Sequence, residues 1–193
     1  MEKLLPEQEK ARDYLRRKGT LLSPQEIYER VRAAFAATEE FLDGVSAAEA
    51  RQRPSPGEWC VQEIIDHLVE SHRPGGEELR CVLSGERPSG GPIPASIQSP
   101  APLVRPWPER VRELKQLHAE ILEILSKVPD DFTTEARAPV VMVISAKQPD
   151  GSEGAIHWIE ELDWKAYAVV FRLHEIDHLN QAKRAVESVR AAR

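Results

Sequence analysis

Seven prolines and several glycines fall between residues 85 and 108, and no helix tolerates that density. The chain must cross this stretch in an extended form, so the helices on either side are joined by a long connection. Those flanks are strongly helical in pattern. Ser23-Pro24-Gln25-Glu26 offers a capping serine, a proline at the first helical position and a glutamate at the third. The helix it opens runs through Ile27, Val31, Phe35 and Phe41-Leu42 to Asp43-Gly44. After the turn Arg53-Pro54-Ser55-Pro56-Gly57, residues Glu58 to about Leu83 read as a second long helix, which Pro74-Gly75-Gly76 is expected to kink or interrupt. A third spans about Glu109 to Lys127, with Val111, Leu114, Leu117, Ile121, Leu125 and Val128 at helical spacing. The last starts at Asp163 as N-cap and runs to about Ala191.

Smaller elements complete the reading. Residues 6–18 form a short leading helix stopped by Gly19. Val140–Ile144 and Ala155–Ile159 flank Gln148-Pro149-Asp150-Gly151, the pattern of a β-hairpin. The expected fold class is all-α: a four-helix bundle with a short N-terminal helix and one inserted β-hairpin. One domain covers 1–193, with a core at about 23–190, a proline-rich surface crossover at 85–108 and the hairpin at about 140–160. No repeat is present, and 193 residues suffice to bury a real core.

Composition removes several classes of function. A net charge of −6 and a pI near 5.6 argue against nucleic acid as a partner. The basic runs Arg16-Arg17-Lys18 and Lys183-Arg184 lie toward helix ends, where cations complement the helix dipole. No run approaches the roughly 20 apolar residues of a membrane span, and the N-terminal stretch lacks a signal-peptide core. Cys60 and Cys81 are the only cysteines and form no C-x-x-C, which suits a reducing cytosol, so a cytoplasmic protein is expected. Cys60 reads as a small buried hydrophobe.

The chemistry concentrates in "FRLHEIDHLNQ", residues 171–181. As a string, His174-Glu175-Ile176-Asp177-His178 fits the H-E-x-x-H of zinc peptidases. The context rejects it: only 15 residues follow His178, and Glu187, the one carboxylate among them, sits on the same helix. At about 100° per residue, His174, His178 and Gln181 fall on the stripe that carries Tyr167, Val170, Phe171, Ala182, Ala185 and Val189. Glu175 is placed at that stripe's edge. An inward pair of imidazoles needs partners: either local carboxylates and carbonyls, or one shared metal ion. On the second helix His67 borders the side marked by Val61, Ile64, Ile65, Leu68 and Val69, and would make a third nitrogen ligand. His72, His118 and His157 have no sequence partner at metal spacing and are expected exposed or locally bonded. Trp59 and Trp158 read as packing residues.

"PGEWCVQEIIDHL" and "LHEIDHLNQ" together resemble the second-helix and last-helix signatures of the DinB-like (YfiT-like) family, over roughly residues 23–190. The resemblance implies an up-up-down-down bundle and a metal-binding histidine triad, which carries over to His67, His174 and His178. It implies a divalent metal, Zn or Ni foremost with Mn or Fe as alternatives, and a homodimer. It further implies a small-molecule substrate, which for some members is a low-molecular-weight thiol.

Three neutral imidazoles leave a coordination position open, and an ion so held lowers the pKa of bound water to about 7 or activates a thiol. A metal-dependent hydrolase is placed ahead of a thiol S-transferase, with a non-catalytic metal-binding or interaction module of the same fold as the alternative. Glu63, Asp177 and Gln181 are the candidates for orienting groups or a proton acceptor. Neither nucleic acid nor a membrane is expected as a partner.

Overall fold

The computed structural model describes residues 6–147 and 153–192; the expected hairpin turn Gln148-Pro149-Asp150-Gly151 lies outside them. The first helix, α1, spans Pro6–Leu15 and continues into a π-helical turn, Arg16–Thr20. Helix α2 covers Pro24–Asp43 and opens on the expected capping box, Ser23 with Glu26. A five-residue helix α3, Ala47–Arg51, follows with its own box, Ser46 with Glu49. Helix α4 is Val61–Leu83, α5 is Trp107–Ser126, and α6 is Trp164–Ala191 with Asp163 capping Ala166. Strands β1, Ala138–Lys147, and β2, Glu153–Leu162, pair antiparallel in the register Val141↔Ile159 and Val143↔His157.

The four long helices form the bundle, with α2 and α4 each lying against both α5 and α6. Helices α2 and α6 run the same way: Leu22 and Lys165 meet at one end, Gly44 and Arg190 at the other. Helix α4 runs against α6, since His67 meets His174 while Glu78 meets Tyr167. Helix α5 runs with α4, from Asp66–Arg110 toward Gly76 beside Ile121. The directions are therefore up-down-down-up, rather than the up-up-down-down order that the resemblance implies. The reason is where the long connection falls. A helix of 23 residues is about 34 Å long, and the extended stretch between α4 and α5 returns that far and starts a parallel helix.

Helix α4 is not interrupted by Pro74-Gly75-Gly76. Glycine there permits close packing: a Cβ on Gly75 would lie 3.1 Å from the Phe171 ring. The apolar core divides into two clusters along the bundle. One holds Val31, Phe35, Leu79, Ile121 and Phe171, and the other Leu42, Ile65, Leu114, Ala182 and Val186. Between them lies a layer of buried polar residues.

Candidate metal centre

His67 and His174 face each other across α4 and α6 with their Nε2 atoms 2.9 Å apart. His178, one turn beyond His174, brings its ring within 4.6 Å of both, centroid to centroid. All three offer a ligand atom within 4.8 Å of the others. His67 is 1% exposed rather than at a solvent border. Periodicity alone leaves the side of α4 beyond His67 without a covering element. Instead the proline-rich connection lies along it and buries Gln62, Glu63 and Asp66 as well.

That connection is fastened residue by residue. Ser99 donates from its backbone N and its Oγ to the Asp66 carboxylate, each at 2.7 Å. The Gln98 amide donates to the Glu63 carbonyl, and Gln62 donates to the carbonyls of Pro102 and Arg105. Asp66 also pairs with the buried Arg110 at 2.5 Å. The expected surface crossover is thus the cover of the histidine cluster.

The tautomers follow from the partners. His67 Nδ1 lies 2.7 Å from the Ile97 carbonyl, which only accepts, so Nδ1 carries the hydrogen and Nε2 presents a lone pair. His178 Nδ1 donates to Gln181 Oε1 at 2.9 Å and likewise turns Nε2 free. Burial pushes the His67 pKa down, opposed by its bond to Ile97. Burial takes His178 down to about 4. Burial, with three histidine neighbours, takes His174 well below its ordinary value. All three rings are neutral near pH 7, the ligating form. Two nitrogens sharing a tetrahedral ion at 2.0–2.1 Å sit about 3.3 Å apart, so the 2.9 Å pair fits an ion with a small adjustment.

Of the three candidate orienting groups, Glu63, Asp177 and Gln181, Gln181 is the one hydrogen-bonded to the triad. Glu63 caps the Cys60 backbone N at the start of α4 and pairs with Arg53, which turns it away from the site. Asp177 is exposed on the outer side of α6, 100° from its neighbour His178, and partial desolvation against the helix lifts its carboxyl pKa. Cys60 is buried and does not join the cluster among the described residues. Trp59 does more than pack, lying 5.4 Å from the His67 ring and 6.5 Å from His178. A cavity of about 100 Å³ opens beside His67 and His174, walled by Ile93 and Pro94 of the connection, Val140 of β1, and Tyr167 and Phe171 of α6.

Three residues assigned no metal partner form a second group. His72, His118 and Glu175 are 1%, 1% and 0% exposed, and their ligand atoms also lie within 4.8 Å of one another. Glu175 is the centre of the buried stripe and not its edge, because α6 buries Ala168, Phe171, Glu175, Leu179, Ala182 and Val186. The histidine pair lies on the flank of that face. His118 was legible in principle, since it sits between Leu114 and Ile121 on the apolar stripe of α5. His157 is exposed on β2 and belongs to neither cluster.

Residues 28–182 match the model of the DinB superfamily. The chain belongs to the DinB superfamily. Among solved structures it resembles YfiT from Bacillus subtilis, described as a probable metal-dependent hydrolase with an unusual four-helix bundle topology. The identity is 14%, the TM-score 0.60, and the match covers 96% of this chain and 89% of YfiT. It also resembles TT2238, a four-helix bundle protein, at 15% identity and a TM-score of 0.51, covering 84% of this chain and 99% of that one. A search of curated proteins found no match. At these identities the structural likeness establishes the bundle for this DinB protein and no more. Among its described residues no helix is long and apolar enough to cross a membrane.

Proposed function

We propose that His67, His174 and His178 hold one divalent metal ion and that the protein is a metal-dependent enzyme, with hydrolysis ahead of thiol transfer. The observation that carries this reading is the lone-pair arrangement. Two rings have Nδ1 committed to the acceptors Ile97 O and Gln181 Oε1, which leaves Nε2 unprotonated beside a third neutral ring. His67 Nε2 and His174 Nε2 stand 2.9 Å apart, a separation that either a hydrogen on His174 or a shared cation must bridge. The donor set is that of an open zinc-type site, and nickel fits the same nitrogens. YfiT, described as a probable metal-dependent hydrolase, supports hydrolysis.

A divalent ion in such a site lowers the pKa of a water or thiol that it binds. The chain's own residues supply the rest. The carbonyl of Ile97 and the amide of Gln181 fix the rings, as outer partners of metal-ligating histidines do. The connection and Trp59 exclude bulk water from one side. The cavity of about 100 Å³ admits a small group rather than a drug-sized ligand, and its Ile93, Pro94, Val140 and Phe171 walls favour an apolar one. Two unpaired cysteines, Cys60 and Cys81, fit a reducing cytoplasm.

The test is elemental analysis of untagged protein beside the single alanine variants of His67, His174 and His178, with turnover assayed on small esters and on thiol-acceptor pairs. One ion lost in every variant while helical circular dichroism persists, with metal-dependent turnover, is the expected result. Ester turnover without thiol transfer selects the hydrolase; the reverse selects the transferase. Cys60→Ala should keep both metal and turnover. An unchanged metal content in the histidine variants would overturn the triad, and a bound ion with no turnover on either substrate class would favour the non-catalytic module.

A further inference from the structure

The polar layer between the two apolar clusters is built by all four bundle helices at one level. In α2 Thr38 interrupts the stripe between Phe35 and Leu42; in α4 His72 does so between Val69 and Leu79. In α5 His118 lies between Leu114 and Ile121, and in α6 Glu175 lies between Phe171 and Leu179. All four are at most 1% exposed. Burying four polar side chains in one core layer is costly unless each finds partners. Most of these atoms have none: both ring nitrogens of His72, Nε2 of His118, both carboxylate oxygens of Glu175 and Oγ1 of Thr38 lack a hydrogen bond.

The unpartnered atoms face one another. His118 Nε2 lies 3.4 Å from Glu175 Oε1, and His72 Nε2 lies 3.6 Å from Glu175 Oε2, both short of aligned hydrogen bonds. His118 Nδ1 is committed at 2.8 Å to the Glu39 carboxylate, an acceptor, so in the neutral ring Nε2 is a lone pair aimed at an anion. A carboxylate on one histidine nitrogen with the other nitrogen free is the outer-partner arrangement that orients metal-ligating histidines. Phe35 stacks on the His118 ring at 3.9 Å and fixes its plane.

We infer that His72, His118 and Glu175 form a second divalent-metal site, separate from the triad and buried in the bundle centre. Two imidazole nitrogens and a carboxylate oxygen suit a zinc-class ion, and the Thr38 hydroxyl beside them is available as a further polar contact. Bundle cores build metal sites in this way, from side chains projecting inward on facing helices. His72 borders the cavity next to the triad, which gives an ion a way in. The site ties α4, α5 and α6 together at one point. Because Glu175 adjoins His174 in the chain, an ion held there also sets the position of the triad.

The inference does not need the triad to bind metal, and the experiment separates the two. Untagged protein is stripped with chelator, equilibrated with zinc and freed of excess, and the bound zinc per chain is measured for wild type, His178→Ala, Glu175→Gln and the double variant. Two ions in wild type, one in each single variant and none in the double variant are expected. Zinc should raise the melting temperature of His178→Ala and leave that of the double variant unchanged. Glu175→Gln keeps the side-chain shape; His118→Gln is run beside it, so that a fold lost in one still leaves a readable variant. One ion in wild type that His178→Ala retains and Glu175→Gln loses would uphold the second site and overturn the triad. One ion in wild type that Glu175→Gln and His118→Gln both retain would overturn the inference. The layer would then be a proton-bridged cluster, with a charged His118 between Glu39 and Glu175.

Discussion

Two histidine clusters sit side by side in this bundle and differ in their cover, their ligand set and their outer partners. His67, His174 and His178 border a cavity under a proline-rich cover, carry only neutral rings, and use a carbonyl and an amide as their outer partners. His72, His118 and Glu175 are enclosed by four helices and include a carboxylate. The carboxylate changes the electrostatics. Burial alone would lower His118, but Glu175 and Glu39 outweigh it and raise its pKa. Burial alone would raise Glu175, and the two histidines outweigh that in turn. His72 gains less from Glu175, and burial takes it down to about 3. Consecutive residues, His174 and Glu175, thus serve two environments: one suited to exchange with solvent, the other to holding helices in register.

The largest expected effect breaks the second cluster. In metal-free protein, Glu175→Ala should cost about 3–5 kcal/mol, because it empties space in the core and takes from the buried His118 one of its two carboxylates, leaving Glu39. His178→Ala should cost about 1 kcal/mol or less. Urea unfolding followed by circular dichroism reads both, and similar costs would erase the distinction between a core device and a cavity-lining site. Asp66→Ala comes next, at about 2–3 kcal/mol, since it removes the one fully buried carboxylate on Arg110, which keeps Glu113 and Glu70, and frees Ser99. Its specific mark is faster amide hydrogen exchange across 97–105 than across the middle of α6. Exchange that accelerates everywhere equally would mean the cover is not a separate unit.

A smaller effect sharpens the triad side. Gln181→Ala removes the acceptor that orients His178, and zinc affinity at the triad should fall about 10–100-fold with ion binding at the inner cluster unchanged. Titration with a competing chelator checks it. The smallest effect provides an ion pair outside both clusters for reference. Hydrogen bonds from Arg190 first, and then from Ser46, hold the Glu49 carboxyl down at about 2. With its folded pKa below its unfolded one, Glu49 contributes stability that is full above about pH 4.3 and fades as pH falls toward 2. The melting-temperature gap between wild type and Glu49→Gln should therefore be present at pH 7 and shrink by pH 2.5. A gap independent of pH would remove the charge from the explanation.

The sequence determined by itself whatever depends on local chemistry. Ser23, Pro24 and Glu26 start α2 where a capping box must, Asp163 starts α6, and the prolines of 85–106 keep that stretch out of any helix. The four spans and the hairpin follow from periodicity, and His174 with His178 shares a helix face because 3.6 residues make a turn. The tertiary structure decided what depends on which faces meet. Periodicity places His67 on a border, but only the packed connection shows that border to be covered, and so brings the residue to 1% exposure. It places Glu175 beside the stripe, but the centre of the buried face is set by how α6 rotates against α2 and α4, and that rotation put Glu175 in the core. His72, His118 and Glu175 stand 46 and 57 residues apart in turn, so no local pattern joins them. They become neighbours only because α4, α5 and α6 pack with their polar interruptions at one level.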